Sequence, residues 1–149
     1  MATVIEDSSE TETDDAVTLE DIELFNKGMV RRERPEVLSS QTYKIKNVPN
    51  GQNEFISFYV TISNDKKKQP FEIFVDCRDL LLYEFLTAIG RQASMMLQFD
   101  IPVMHIVEEL KDIHSGSTSH YIPGTGVFCT SLVAHIAFVL EEHYKNYSS

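Results

Sequence analysis

The stretch Pro70–Leu110, PFEIFVDCRDLLLYEFLTAIGRQASMMLQFDIPVMHIVEEL, decides the fold. Its apolar residues first recur at every second position: Phe71, Ile73, Val75 and Cys77. They then recur at every third or fourth: Leu82, Phe85, Leu86, Ile89, Ala93, Met96 and Leu97. A period of two marks a half-buried strand and a period near 3.6 an amphipathic helix, so a strand runs here into helices. Asp79 is placed to cap the first of them. Leu81, Ala88, Met95 and Phe99 extend its apolar surface nearly all round, which predicts burial on several sides or in an oligomer interface. Asp100-Ile101-Pro102 ends it. Pro102 suits the first turn of a second helix, with Val103, Ile106, Val107 and Leu110 facing in.

Upstream, Thr42–Lys46 and Glu54–Ile62 alternate as strands do. Asn50-Gly51 between them is a hairpin signal, because both residues tolerate positive φ. Asn64–Gln69 is a polar turn with three lysines. Such short connections predict an antiparallel meander with one side covered. Downstream, Ser115–Gly126 reads as a loop. Thr130 or Ser131 then caps a third helix, with Leu132, Val133, Ile136, Ala137, Leu140 and Tyr144 facing in. The order predicts an α+β fold: a three-stranded antiparallel sheet followed by three helices packed on one face.

Three segments are expected. Residues 1–16, acidic and rich in Ser and Thr, read as a disordered tail that either docks on a basic partner or only aids solubility. Residues 17–40 hold a short docking helix and a linker. Thr18 and Asp21 resemble a capping box, and Ile22, Leu24, Phe25 and Met29 could dock the helix on the body or on another subunit. Residues 41–149 form the α+β domain.

Composition narrows the class. At 149 residues with 42% hydrophobic content, one globular domain of ordinary size is expected. No apolar run approaches the ~20 residues of a membrane span. The opening MATVIEDSSE lacks the basic and apolar regions of a secretory signal. Cys77 and Cys129 stand far apart, which fits a reducing, cytoplasmic location better than a disulfide framework. The net charge is -10, and residues 1–23 carry nine carboxylates and no base. The rest is close to neutral, with 14 acids against 13 bases, so no nucleic-acid footprint is present.

Arg32–Lys46 (RERPEVLSSQTYKIK), then PFEIFVD with FLTAIGRQASMMLQFDIPVMHIVEEL, then Ser131–Leu140 (SLVAHIAFVL) together resemble one known domain. It is the C-terminal domain of cobalamin-dependent, class II ribonucleotide reductases, named for a Thr-Ser-Cys-Pro-Asp motif. The likeness covers roughly residues 31–144. The motif is matched by Thr130-Ser131 and then departs as Leu132-Val133-Ala134. Cys129 lies three residues too early to replace the motif's cysteine. The reductase's catalytic barrel and a cobalamin-binding Asp-x-His-x-x-Gly signature are both missing.

Several residues are candidates for binding. Arg91, in Gly90-Arg91-Gln92, is a cation on an otherwise apolar helix. It must reach water, a ligand or a carboxylate such as Asp76 or Asp79. Gln92 lies beside it, and Gly90 permits close approach of a ligand or another backbone. Arg31, Arg32 and Arg34 could hold phosphates, or could serve as a solvated connector meeting the acidic tail. His114 and His120, with Cys129 and a carboxylate, could hold a metal, yet their spacing lacks the close pairs of zinc sites, so loop polarity is preferred. Thr125 and Gly126, within Gly124-Thr125-Gly126 ahead of a helix, could receive a phosphate or simply form a turn.

The expectation is a non-catalytic, stand-alone binding module without cofactor or metal. It would be a homo-oligomer that takes a phosphorylated, nucleotide-like ligand or a protein partner. From the resemblance alone, a phage or other mobile genome is its expected source. One alternative is an accessory subunit of a split cobalamin-dependent reductase. The other is a nucleotide-processing enzyme.

Overall fold

The computed structural model describes residues 16–148, so all but the last residue of the predicted acidic tail lies outside the described residues. The chain divides into two units, one ending at Val30 and one starting at Arg31.

In the first unit, α1 (Leu19–Asn26) begins at a complete capping box. Asp21 N–H donates to Thr18 Oγ1 at 3.0 Å, and Thr18 N–H donates to Asp21 Oδ2 at 3.1 Å. These bonds satisfy two of the donors that a helix start leaves orphaned. None of its residues is buried.

In the second unit, β1 (Ser39–Pro49), β2 (Phe55–Asn64) and β3 (Pro70–Asp76) form an antiparallel sheet in that order. Gly51 at φ +86° and Asn53 at φ +63° turn the β1–β2 hairpin, and Asn50 Oδ1 accepts from Gln52 N–H at 2.7 Å. Asp65 Oδ1 closes the next turn by accepting from Lys67 and Gln69 N–H. α2 (Tyr83–Gln98) packs along β3. α3 (Val103–Lys111) packs on α4 (Leu132–Tyr147), and α4 touches β1 and β2. One sheet face, with Ile45, Phe58, Val60, Ile62, Ile73 and Val75, is buried. Tyr59 and Phe74 stand exposed on the other. Leu86, Leu97, Ile106, Ile136 and Leu140 complete the core, each buried side chain contributing about 1.5–3 kcal/mol.

The expected architecture needs four corrections. The count of three helices becomes four among the described residues, since the expected Thr18-capped helix forms as α1 beside the three that follow the sheet. The loop after α3 contains a short ribbon, β4 (His120–Tyr121) with β5 (Phe128–Cys129), whose two-residue strands are too brief to show a period. Phe85, placed on the inner stripe, is exposed, because α2 meets β3 along the narrow line Leu86, Gly90, Ala93 and Leu97. Asp79 caps the turn before α2 rather than the helix itself, its Oδ1 accepting from Leu81 N–H at 2.9 Å.

Gly90 makes this helix–strand contact possible. A Cβ there would stand 3.3 Å from the Ile73 carbonyl oxygen and 3.7 Å from Val75 Cγ2. Ser94 stitches the same place: its Oγ accepts from Ile73 N–H at 2.9 Å and donates within reach of Ile73 O at 3.0 Å. Gly90→Ala is therefore expected to forfeit the ~1 kcal/mol that the exchange gains in an open helix. Gly90→Val should cost about 2 kcal/mol or more by overpacking, read from urea unfolding midpoints.

A polar knot ties α4 to the sheet. His143, 1% exposed, lies 2.7 Å from Tyr43 Oη through Nδ1 and 2.9 Å from Asn64 Oδ1 through Nε2. An amide oxygen only accepts, so Nε2 carries the proton and Nδ1 accepts from the Tyr43 hydroxyl. Burial pushes the His143 pKa below its ordinary value, in keeping with this neutral ring.

Candidate functional site

The line of α2 that meets β3 dictates what the rest of the helix presents. With Leu86, Gly90, Ala93 and Leu97 turned inward, Arg91, Gln92 and Met95 face outward beside β3. Successive residues are about 100° apart on a helix, so neighbours of a buried position turn away from it. The residues ahead of β1 run back past this side: Arg32 N–H donates to Gln98 O at 2.9 Å. The result is a groove of about 710 Å³, bounded by Arg31, Arg34, Arg91, Gln92 and Gln98 and by Thr61, Ser63, Glu72 and Phe74 of the sheet.

Three guanidinium groups face one carboxylate there, and their commitments differ. Arg34 is bonded to Glu72, with Nη2 2.9 Å from Oε1, which cancels its charge locally. Arg31 Nε donates to the neutral Gln98 Oε1 at 2.9 Å, so its charge is uncompensated by that partner. The Arg91 side chain is exposed and makes no hydrogen bond or ion pair among the described residues, with neither Asp76 nor Asp79 paired to it. Phe74, 62% exposed, and Met95, 41% exposed, add an apolar wall. The groove thus combines charged donors, which recognise phosphate or carboxylate oxygens, with an aromatic face that a planar ring can cover. Its lining includes neither histidine nor cysteine.

Four of the sequence-selected residues, Arg31, Arg34, Arg91 and Gln92, meet in this groove. Arg32 does not line it. Its side chain pairs with Asp65 and Asp100, donates to Leu97 O at 3.0 Å and lies 4.9 Å from the Phe71 ring centroid. Arg32 is thereby a clamp between α2 and the β2–β3 turn. His114 is exposed, 3.8 Å from Asp112. Thr125 and Gly126 form the β4–β5 turn, where Thr125 Oγ1 donates to Ile122 O and accepts from Val127 N–H. β5 separates that turn from α4, so Gly126 does not lead directly into a helix.

His120 is in a second constellation. It pairs across the ribbon with Cys129, and its Nε2 is 2.8 Å from Nδ1 of His135 on α4. Burial, with His120 alongside, pushes the His135 pKa down to about 4. Burial raises the Cys129 thiol, opposed in part by Lys111.

Sequence reasoning passed over Phe74, Met95, Ser94 and Gln98 in the groove. Phe74 had a legible signal, an aromatic on the outward phase of a strand. Ser94 and Gln98 had none, since their roles come from contact with β3 and Arg31.

Fold and groove define a small α+β domain, with helices over one face of a three-stranded antiparallel sheet and arginines gathered at its edge. The chain belongs to the TSCPD domain family, whose model matches residues 32–144, the Thr-Ser-Cys-Pro-Asp domain of class II ribonucleotide reductases. No curated protein and no solved structure matches it. The two motif residues retained here have structural partners. Thr130 Oγ1 is within bonding distance of Lys111 O and Ile113 O, and Ser131 Oγ caps α4 by accepting from Ala134 N–H at 3.0 Å. Leu132, at the position of the motif's cysteine, is buried in the core.

Proposed function

We propose that this chain is a stand-alone binding module whose arginine-lined groove takes a phosphorylated, nucleotide-like small ligand. The observation that carries the reading is the convergence of Arg91, without a partner among the described residues, with Arg31 and the exposed Phe74 in one groove of about 710 Å³. A phosphate brings two or more acceptor oxygens to the guanidinium groups, while a base covers the ring. The groove is within the ~300–1,000 Å³ usual for small-molecule sites. Leu80 and Leu81 in the turn before α2 and Tyr83 and Phe85 in its first turn, all exposed, support self-association as part of the same reading. Family membership supports a second reading, an accessory subunit of a split class II reductase.

The test is native mass spectrometry of the full chain, before and after incubation with nucleoside mono-, di- and triphosphates. A phosphorylated adduct retained unchanged, on a protein of multiple copies, is the expected result. Conversion of the nucleotide would replace binding by catalysis. A reductase large chain that co-purifies from the native cell would favour the accessory reading. Absence of any nucleotide adduct across the panel would overturn ligand binding.

A further inference from the structure

The His120, Cys129 and His135 constellation is separate from the groove's lining and has no part in the binding reading. Its three candidate ligand atoms come from β4, β5 and α4, and all lie within 4.8 Å of one another. Imidazole and thiolate ligands at about 2.0–2.3 Å stand roughly 3–4 Å apart around a tetrahedral ion. Small side-chain adjustments therefore bring these atoms onto one ion. We propose that they form a divalent-metal site of the zinc class, with a fourth position left for water.

Three further observations support it. The first is orientation. His120 Nδ1 donates to Thr118 O at 2.8 Å, which fixes the tautomer and leaves the Nε2 lone pair facing His135 and Cys129. An outer hydrogen bond of this kind is the usual companion of a metal-bound imidazole. The second is burial. Cys129 is 3% and His135 6% exposed, so the bonds to an ion would be shielded from competing water. The third is the ribbon. A two-residue pairing is too short to hold itself together, and an ion would tie His120 and Cys129 to α4. Cys129 also lines a cavity of about 360 Å³ with Thr130, Ala134 and Phe138, which offers a route in. Two imidazoles and one thiolate favour zinc over magnesium or calcium.

The proton balance is explicit. Binding removes the Cys129 thiol proton to solvent. It also breaks the hydrogen bond between the imidazoles, with the His135 proton moving to Nε2. One proton is released per ion, so affinity rises with pH.

The experiment titrates cobalt(II) into chelator-treated full-length protein, followed by zinc competition. Expected are a thiolate-to-cobalt charge-transfer band and the intense visible bands of a four-coordinate ion, saturating at one equivalent and erased by zinc. Zinc should also raise Tm by several degrees. Cys129→Ser should abolish the charge-transfer band. His120→Gln, at a half-buried position, removes a ligand and should weaken binding by more than the roughly 10–100-fold that loss of an outer hydrogen-bond partner costs, while circular dichroism shows the fold retained. Absence of the charge-transfer band in the wild type would overturn the site. So would wild-type zinc affinity in a folded His120→Gln or Cys129→Ser protein.

Discussion

Replacing His143 with leucine is expected to lower the unfolding free energy by about 3 kcal/mol, the largest stability loss foreseen for a polar position. Leucine fills the space but makes no hydrogen bonds. It strands the Asn64 amide oxygen, 2.9 Å from Nε2 now, and the Tyr43 hydroxyl, 2.7 Å from Nδ1. Asn64 is buried, so water cannot replace the lost donor without opening the junction of α4 and the sheet. An unsatisfied buried group costs about 1–3 kcal/mol, and the half-buried Tyr43 hydroxyl loses its acceptor at the same time. Tyr43→Phe, which removes one partner in the same knot, should couple non-additively with His143→Leu in a double-mutant cycle.

The knot also sets a pH dependence. Burial holds the folded His143 pKa below its unfolded value of 6.5. The unfolded chain therefore binds more protons between the two values, and stability rises with pH across that window. The stabilisation is complete above the unfolded value and is lost as pH falls through the folded one. His135, pushed down to about 4, adds a slope of the same sign in metal-free protein. Urea unfolding at about pH 7.5 and about pH 5.5 should show the wild type less stable at the lower pH. His143→Leu should show a smaller drop. An equal drop in both proteins would remove His143 as a source of the dependence.

The second large effect is on binding. Arg91→Glu is expected to weaken a nucleoside triphosphate by roughly 100-fold, the loss of one charge-assisted contact plus repulsion by the new carboxylate. Arg91 is exposed and has no partner among the described residues, so Tm should stay where it is. That combination separates binding from folding. Arg32→Ala makes the opposite contrast: it breaks the clamp to Asp65, Asp100 and Leu97 O, and Tm should fall. Calorimetric titration of both variants reads the difference. Unchanged affinity in Arg91→Glu would show that the arginines do not hold the ligand.

Much of this was legible along the chain. The strands through Ile73 and Val60, the hairpin at Asn50-Gly51, the break at Asp100–Pro102 and the Thr18 box all follow from local spacing and turn chemistry. The close approach at Gly90 was legible too, because a glycine amid large apolar residues signals a contact that leaves no room for a side chain. The ribbon was not, since strands of two residues have no period to detect. Nor was the exposure of Phe85: an apolar residue at helical spacing is buried only where a neighbouring element reaches it, and β3 covers a narrower line of α2 than the spacing allows.

Periodicity and caps thus settle the longer elements and their order, because burial on a strand or helix repeats at the spacing of its own residues. The roles of the polar residues are settled differently. Arg31, Arg32, Arg34 and Arg91 are alike in the sequence, yet one clamps the fold, one is neutralised by Glu72, one rests on a neutral amide and one lines the groove with no partner among the described residues. His135 meets His120 from 15 residues away, and His143 meets Asn64 from 79. Such partners are chosen by how helices dock on the sheet, and the charge and hydrogen-bonding state of each residue depends on what that docking leaves within about 3 Å of it.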